Sequence, residues 1–158
     1  MAQPATRYTI RADDLTGQAV TALLTWHLSE MHRWSPPGSV HAMPVERLRQ
    51  PDVTFYSAWA GDELAAVGAL RQLDGTRGEL KSMRAAPEWR GKGAGEAILL
   101  HLLAEARARG LTWLGLETGR GEPFDAAAGL YRKHGFAPCP PYGSYVADDF
   151  SHCMELTL

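Results

Sequence analysis

Between Arg90 and Gly95 the chain reads Arg-Gly-Lys-Gly-Ala-Gly, directly before a stretch whose apolar residues Ile98, Leu99, Leu102, Leu103 and Ala106 recur at helical spacing. That spacing predicts a helix from about Gly93 to Arg109, with Gly110 as its C-cap. Glycine costs a helix roughly 1 kcal/mol per position relative to alanine, so alternate glycines at a helix start need a reason. A helix N-terminus carries free N–H groups and a partial positive charge, and it attracts phosphate. Glycines remove the side chains that would block an anion and let the backbone turn its amides inward. Arg90 and Lys92 add positive charge. The stretch therefore reads as a pyrophosphate cradle, since a plain strand-to-helix turn needs only one glycine. Two other phosphate loops fit badly. A Walker loop needs Ser or Thr after Gly-Lys, and here Gly93 follows Lys92. A dinucleotide fingerprint needs G-x-G-x-x-G opening a parallel sheet, and residues 91–96 give G-x-G-x-G-E after an antiparallel meander.

The rest of the chain supplies the setting. Arg7 to Ala12 alternates polar and apolar residues and reads as a strand. Asp13 or Asp14 is placed to cap a helix reaching about Trp34, with Val20, Leu23, Leu24 and Leu28 on one face, and Ser35-Pro-Pro-Gly-Ser39 stops it. A short helix is expected near Pro44 to Gln50. Val53–Ala60, Glu63–Leu73 and Glu79–Ala86 are separated by Gly61-Asp62 and by Asp74–Gly78, which predicts an antiparallel meander. After the central helix, Leu111–Thr118 reads as a strand parallel to the one before it. Phe124–Gly135 reads as a last helix and His152–Leu158 as a terminal strand.

The glycine loop resembles the R/Q-x-x-G-x-G/A signature of the GNAT superfamily of N-acetyltransferases. Met83 to Gly95, "MRAAPEWRGKGAG", resembles that family's strand end, proline and loop, and Ala127 to Phe136, "AAGLYRKHGF", resembles its downstream Leu-Tyr and Gly-Phe segment. The resemblance implies one α+β domain over residues 1–158. It implies a mixed, mostly antiparallel twisted sheet of about seven strands flanked by helices, splayed at the strand before the pyrophosphate loop. It further implies acetyl-CoA, or another acyl-CoA, as donor, and direct attack of an amine on the thioester.

Such chemistry needs a donor to the developing oxyanion, a base for the amine and an acid for the departing thiolate. By family position, main-chain groups at Met83 and Ala85, flanking Arg84, face the pantetheine arm and thioester. Arg90, Gly91, Lys92, Gly93, Ala94 and Gly95 hold the diphosphate. Tyr131 matches the family's acid; its alternative is a half-buried helix tyrosine with its hydroxyl at the surface. Glu79, six residues before Ala85, is the candidate base, or else an edge carboxylate paired with Arg77 or Lys81. Glu117 is a second candidate, as base or amine anchor. Many members carry asparagine seven residues before the tyrosine, in polar contact with the cofactor arm; in this chain Phe124 stands at that cofactor-binding position, with Asp125 after it, a departure from the family pattern.

On the acceptor side, Ser35, Ser39 and His41 are candidate pocket residues, together with Tyr142 and Tyr145 in a tail whose aromatics and acids suit a small cationic amine. His27, His32 and His41 match no zinc spacing, and no metal is expected. Cys139 and Cys153 form no disulfide framework and read as reduced packing residues in a cytoplasm. The five tryptophans read as core or rim packing. A formal charge of −2 argues against nucleic acid as the main partner. The N-terminus shows no signal peptide, and no apolar run reaches the roughly 20 residues of a membrane span. The expected partner is a small-molecule amine, with homodimerisation common in the family. The rival readings are a non-catalytic acyl-CoA-binding module, an acetyltransferase for protein N-termini or lysines, and a metal-binding protein.

Overall fold

The computed structural model describes residues 7–41, 43–146 and 148–158. In chain order the elements are β1 (Thr9–Ala12), α1 (Gln18–Trp34), α2 (Val45–Leu48), β2 (Val53–Ala60), β3 (Glu63–Gln72), β4 (Arg77–Ala85), a 3-10 turn (Pro87–Trp89), α3 (Ala94–Ala108), β5 (Trp113–Thr118), α4 (Glu122–Lys133), β6 (Ala137–Cys139) and β7 (His152–Thr157). They build one seven-stranded sheet in the order β1-β2-β3-β4-β5-β7-β6. Every pairing is antiparallel except β4 with β5, which α3 joins as a crossover.

Period-2 alternation in β3 divides the core. Ala66 and Leu70 face the α3 layer, while Val67 and Ala69 face α1 and α2. Ile98, Leu99 and Leu102 of α3 are fully buried against the first face. Burial of each contributes roughly 2 kcal/mol, which offsets the weak helix start. Val20, Leu23 and Leu24 of α1 pack with Phe55 on the other face.

The start of α1 differs from the sequence expectation. Its N-cap is Gly17, without a side-chain cap. Asp13 is used earlier: one carboxylate oxygen accepts from the Leu15 amide at 2.9 Å and the other from the Ser57 hydroxyl at 2.7 Å. Asp14 accepts from Thr16 in the same way. Both acids thus serve the turn that carries Leu15 at φ 65°. The last helix begins two residues earlier than expected, at Glu122, with Pro123 in its first turn.

A bulge interrupts β4. Lys81 and Arg84 oppose Ala69 and Val67, so three steps on β4 match two on β3. Ser82 takes φ 56° at that point. The extra residue restores Arg84 to the α1 face, where its Nε donates to His27 Nδ1 at 2.8 Å and its guanidinium lies over Trp26.

Candidate active site

The sheet opens where β4 and β5 part. They are in register at Arg77–Trp113, Gly78–Leu114 and Glu79–Gly115, and no further. Both strands continue, β4 on β3 and β5 on β7, so a V-shaped fork widens from Glu79 onward. Ala86 donates its amide to Ala65 across β3 at 2.8 Å. Strand alternation therefore turns the amides of Ala85 and Met83 the other way, into the fork. A cavity of about 500 Å³ fills it, running from the N-terminus of α3 to His41 and Glu117.

At one end stands the glycine loop. Gly91 and Gly93 have φ +71° and +84°, values that favour glycine. The first helical bond of α3 runs from the Ala97 amide to the Gly93 carbonyl, leaving the amides of residues 93–96 without intrahelical acceptors. A Cβ on Gly91, Gly93 or Gly95 would meet no protein atom within 4 Å. Gly95 is the informative one: it is helical, so neither backbone conformation nor packing asks for glycine there. Open space over free amides is what close approach of a diphosphate requires. Tyr8 pins the loop by donating to the Lys92 carbonyl at 2.5 Å. Lys92 itself lies over the Trp89 ring.

Tyr131 lines the cavity. It is buried, 6% exposed, and its hydroxyl has no hydrogen-bond partner among the described residues. Burial pushes its pKa up to about 12, against a weaker opposing pull from Arg84. It is therefore a neutral donor near neutral pH. Phe124 also lines the cavity, edge-on to Phe150 at 5.3 Å.

The two candidate carboxylates have different surroundings. Glu117 lines the cavity, and its Oε2 lies 2.8 Å from His41 Nδ1. Glu79 sits at the closed end of the fork, is not among the cavity-lining residues and is 1% exposed. Its Oε2 accepts from the Tyr142 and Tyr145 hydroxyls at 2.6 and 2.7 Å, while Oε1 lies 3.5 Å from Arg71 and has no hydrogen bond. The expected alternatives for Glu79, pairing with Arg77 or Lys81, do not form: Arg77 pairs with Asp74. Tyr142 and Tyr145 do not line the cavity. Burial and the adjacent Glu79 carboxylate push both phenols far up, so they stay neutral donors. Hydrogen bonds from the tail thus converge on a buried carboxylate.

Ser35, Ser39 and His41 line the cavity, His41 beside Glu117. Ser39 donates to Asp148 at 3.0 Å, tying the α1–α2 loop to the β6–β7 loop. Lys81, which sequence reasoning treated only as a partner for Glu79, lines the cavity too, and donates to the His41 carbonyl at 3.1 Å and the Tyr145 hydroxyl at 2.8 Å. Its position in a β-strand two residues past Glu79 was the one available signal.

The three histidines go separate ways. His27 is buried on Arg84, His41 meets Glu117, and His32 is exposed. Among the described residues no group of three His, Cys, Asp or Glu side chains is disposed to hold a metal ion. Cys139 and Cys153 are free and face each other across β6 and β7. No helix among the described residues is long and apolar enough to cross a membrane.

Residues 20–136 match the acetyltransferase (GNAT) family. The chain is 50% identical over 151 residues to the uncharacterised N-acetyltransferase YedL of Escherichia coli (strain K12), covering 96% of this chain and 95% of that one. Its fold superposes on a candidate acyl-CoA N-acyltransferase of Klebsiella pneumoniae with a TM-score of 0.77 at 27% identity, covering 96% and 97% of the two chains. A Bacillus subtilis acetyltransferase solved in complex with CoA shares the fold at a TM-score of 0.70 and 20% identity, covering 96% and 99%. With its forked sheet, its open amide cradle and these relatives, the chain belongs to the GNAT family and is an acetyl-CoA-dependent acetyltransferase.

Proposed function

We propose that this enzyme transfers an acetyl group to the amine of a small molecule or amino acid. The observation that carries this reading is a single cavity that holds the free amides of α3, the Tyr131 hydroxyl and the Glu117 carboxylate. Acetyl-CoA supplies the activated thioester. The amides of residues 93–96 bind its diphosphate, and the fork-facing amides of Met83 and Ala85 are donors to its arm and to the carbonyl oxygen as negative charge develops there. Glu117 accepts the proton that an ammonium must lose before its nitrogen can attack. His41 orients that carboxylate through Oε2, leaving Oε1 for the amine. The C–N bond forms as the C–S bond breaks; Tyr131 gives its proton to the departing sulfur and is reprotonated, through solvent, by the second proton the nitrogen loses on becoming an amide, while Glu117 passes the first to solvent. The products are an N-acetyl amide, CoA thiol and one proton released to solvent. The missing asparagine at position 124 is replaced by apolar packing of Phe124 on Phe150, which shapes the wall without a polar contact.

Isothermal titration with acetyl-CoA, followed by thiol release in a panel of amines, tests this. Binding with a stoichiometry of one and amine-dependent thiol release are expected. Tyr131→Phe should lower kcat about 10-fold or more while leaving the Kd for acetyl-CoA within twofold. Binding without turnover of any amine would instead favour the acyl-CoA-binding module.

A further inference from the structure

Lys81 stands out among the charged groups of the cavity. It is 8% exposed, yet no carboxylate lies within 4 Å of its ammonium among the described residues. Its two hydrogen-bond partners, the His41 carbonyl and the Tyr145 hydroxyl, are both neutral. An ammonium carries three donors, so one remains for the cavity that Lys81 lines. Buried charges in proteins are paired, because desolvation is costly without a counter-ion. Desolvation does pull the Lys81 pKa down, with Glu79 and Glu117 opposing that pull from farther away.

The fork places a second charge opposite. Glu79 and Gly115 are the last registered pair of β4 and β5. Two residues further along each strand stand Lys81 and Glu117, on the same face and on opposite lips of the opening. Both line the acceptor end, beside His41. A cation on one lip and an anion on the other complement a ligand that carries both charges.

We propose that the acceptor is a free α-amino acid, its carboxylate the missing counter-ion of Lys81 and its ammonium set against Glu117. The proposal rests on the acetyltransferase reading above. A simple amine would leave Lys81 unpaired in a cavity from which it also excludes water. A carboxylate there satisfies the third N–H and fixes the amine within reach of the Glu117 oxygen that His41 leaves free. Lys81 is in this role a specificity-determining residue. It also braces the loop that carries His41, through the His41 carbonyl.

The test begins with acetyl-CoA titration, then measures thiol release with the twenty L-α-amino acids, with their carboxamides and with the corresponding decarboxylated amines. At least one amino acid is expected to react with a kcat/KM about 100-fold above those of its amide and its amine. In Lys81→Met that preference should collapse to within threefold, and in Lys81→Arg it should persist at tenfold or more. The preference is a ratio within one protein, so partial loss of folded enzyme does not imitate its collapse. If Lys81→Met does not fold, the wild-type ratio alone decides. Three results overturn the proposal while the transferase reading stands: amines that react as well as the acids, no acid that reacts although other amines do, or a Lys81→Met variant that slows acid and amine equally. The last would assign Lys81 to the thioester. Absence of acetyl-CoA binding would instead remove the reading on which the proposal rests.

Discussion

On the proposed reading, the donor and acceptor ends of the cavity are built by opposite means. The donor end is main chain: amides at residues 83, 85 and 93–96, opened by glycines, all within one short segment. The acceptor end is side chain: His41, Lys81 and Glu117 meet there from a loop and two strands, with Ser39, Tyr145 and Asp148 bracing them. The difference teaches where specificity can change. Backbone donors read a shape common to every acyl-CoA and tolerate exchange of most side chains. An end assembled from distant side chains can be re-specified one residue at a time without disturbing the other.

The most severe way to break this comparison is to fill the donor end. In Gly95→Glu a side chain enters open space and sets a carboxylate against the bound diphosphate. Acetyl-CoA affinity should fall at least 100-fold by calorimetry, an effect of roughly 3 kcal/mol. The melting temperature should hold or rise, because glutamate is the better helix former and an acid suits a helix N-terminus. A fall in melting temperature with unchanged affinity would show that Gly95 serves the fold. Glu117→Gln attacks the other end. Its kcat/KM should drop about 100-fold with the acetyl-CoA Kd unaltered, so that the two ends separate cleanly; a matching loss of CoA affinity would merge them.

A smaller effect sharpens the boundary between them. His27 is buried and accepts from Arg84, and desolvation, then Arg84 and Lys81, pull its pKa down to about 3. An unfolded histidine titrates near 6.5. Between those values the unfolded chain binds the extra proton and the folded chain does not. This contribution is complete above pH 6.5 and is lost as pH falls toward 3, by about 2 kcal/mol at pH 5. His27→Gln keeps an acceptor for Arg84 and should flatten that part of the curve, measured by urea unfolding at pH 7 and pH 5. The smallest effect is expected at the brace. Tyr142→Phe removes one of two hydroxyl donors to Glu79, and unfolding free energy should fall by about 1 kcal/mol with kcat/KM within threefold. A larger loss of activity would draw Glu79 into the chemistry after all.

Much of this architecture is legible without coordinates. The sequence by itself determined the order of elements, the pairing of β4 and β5 around α3, and the open glycine loop at the start of α3, because periodicity, turn residues and glycine spacing are local signals. The helix starts show where locality misleads: Asp13 and Asp14 have the chemistry of caps, but the Ser57 hydroxyl, brought over by β2, offers Asp13 a second partner. Tertiary structure alone decided which of the two candidate carboxylates faces the cavity. Glu79 and Glu117 lie on the same face of adjacent strands, and nothing in either segment says that the fork opens just beyond Glu79. It also decided that Tyr142 and Tyr145 would clasp Glu79, and that a bulge at Ser82 would set Arg84 on His27. The partners in these contacts stand up to 66 residues apart, as Tyr145 and Glu79 do, and Ser39 and Asp148 at the same end of the molecule stand 109 apart. Their meeting follows from strand register and loop closure over the whole domain, to which no local pattern of side chains is sensitive.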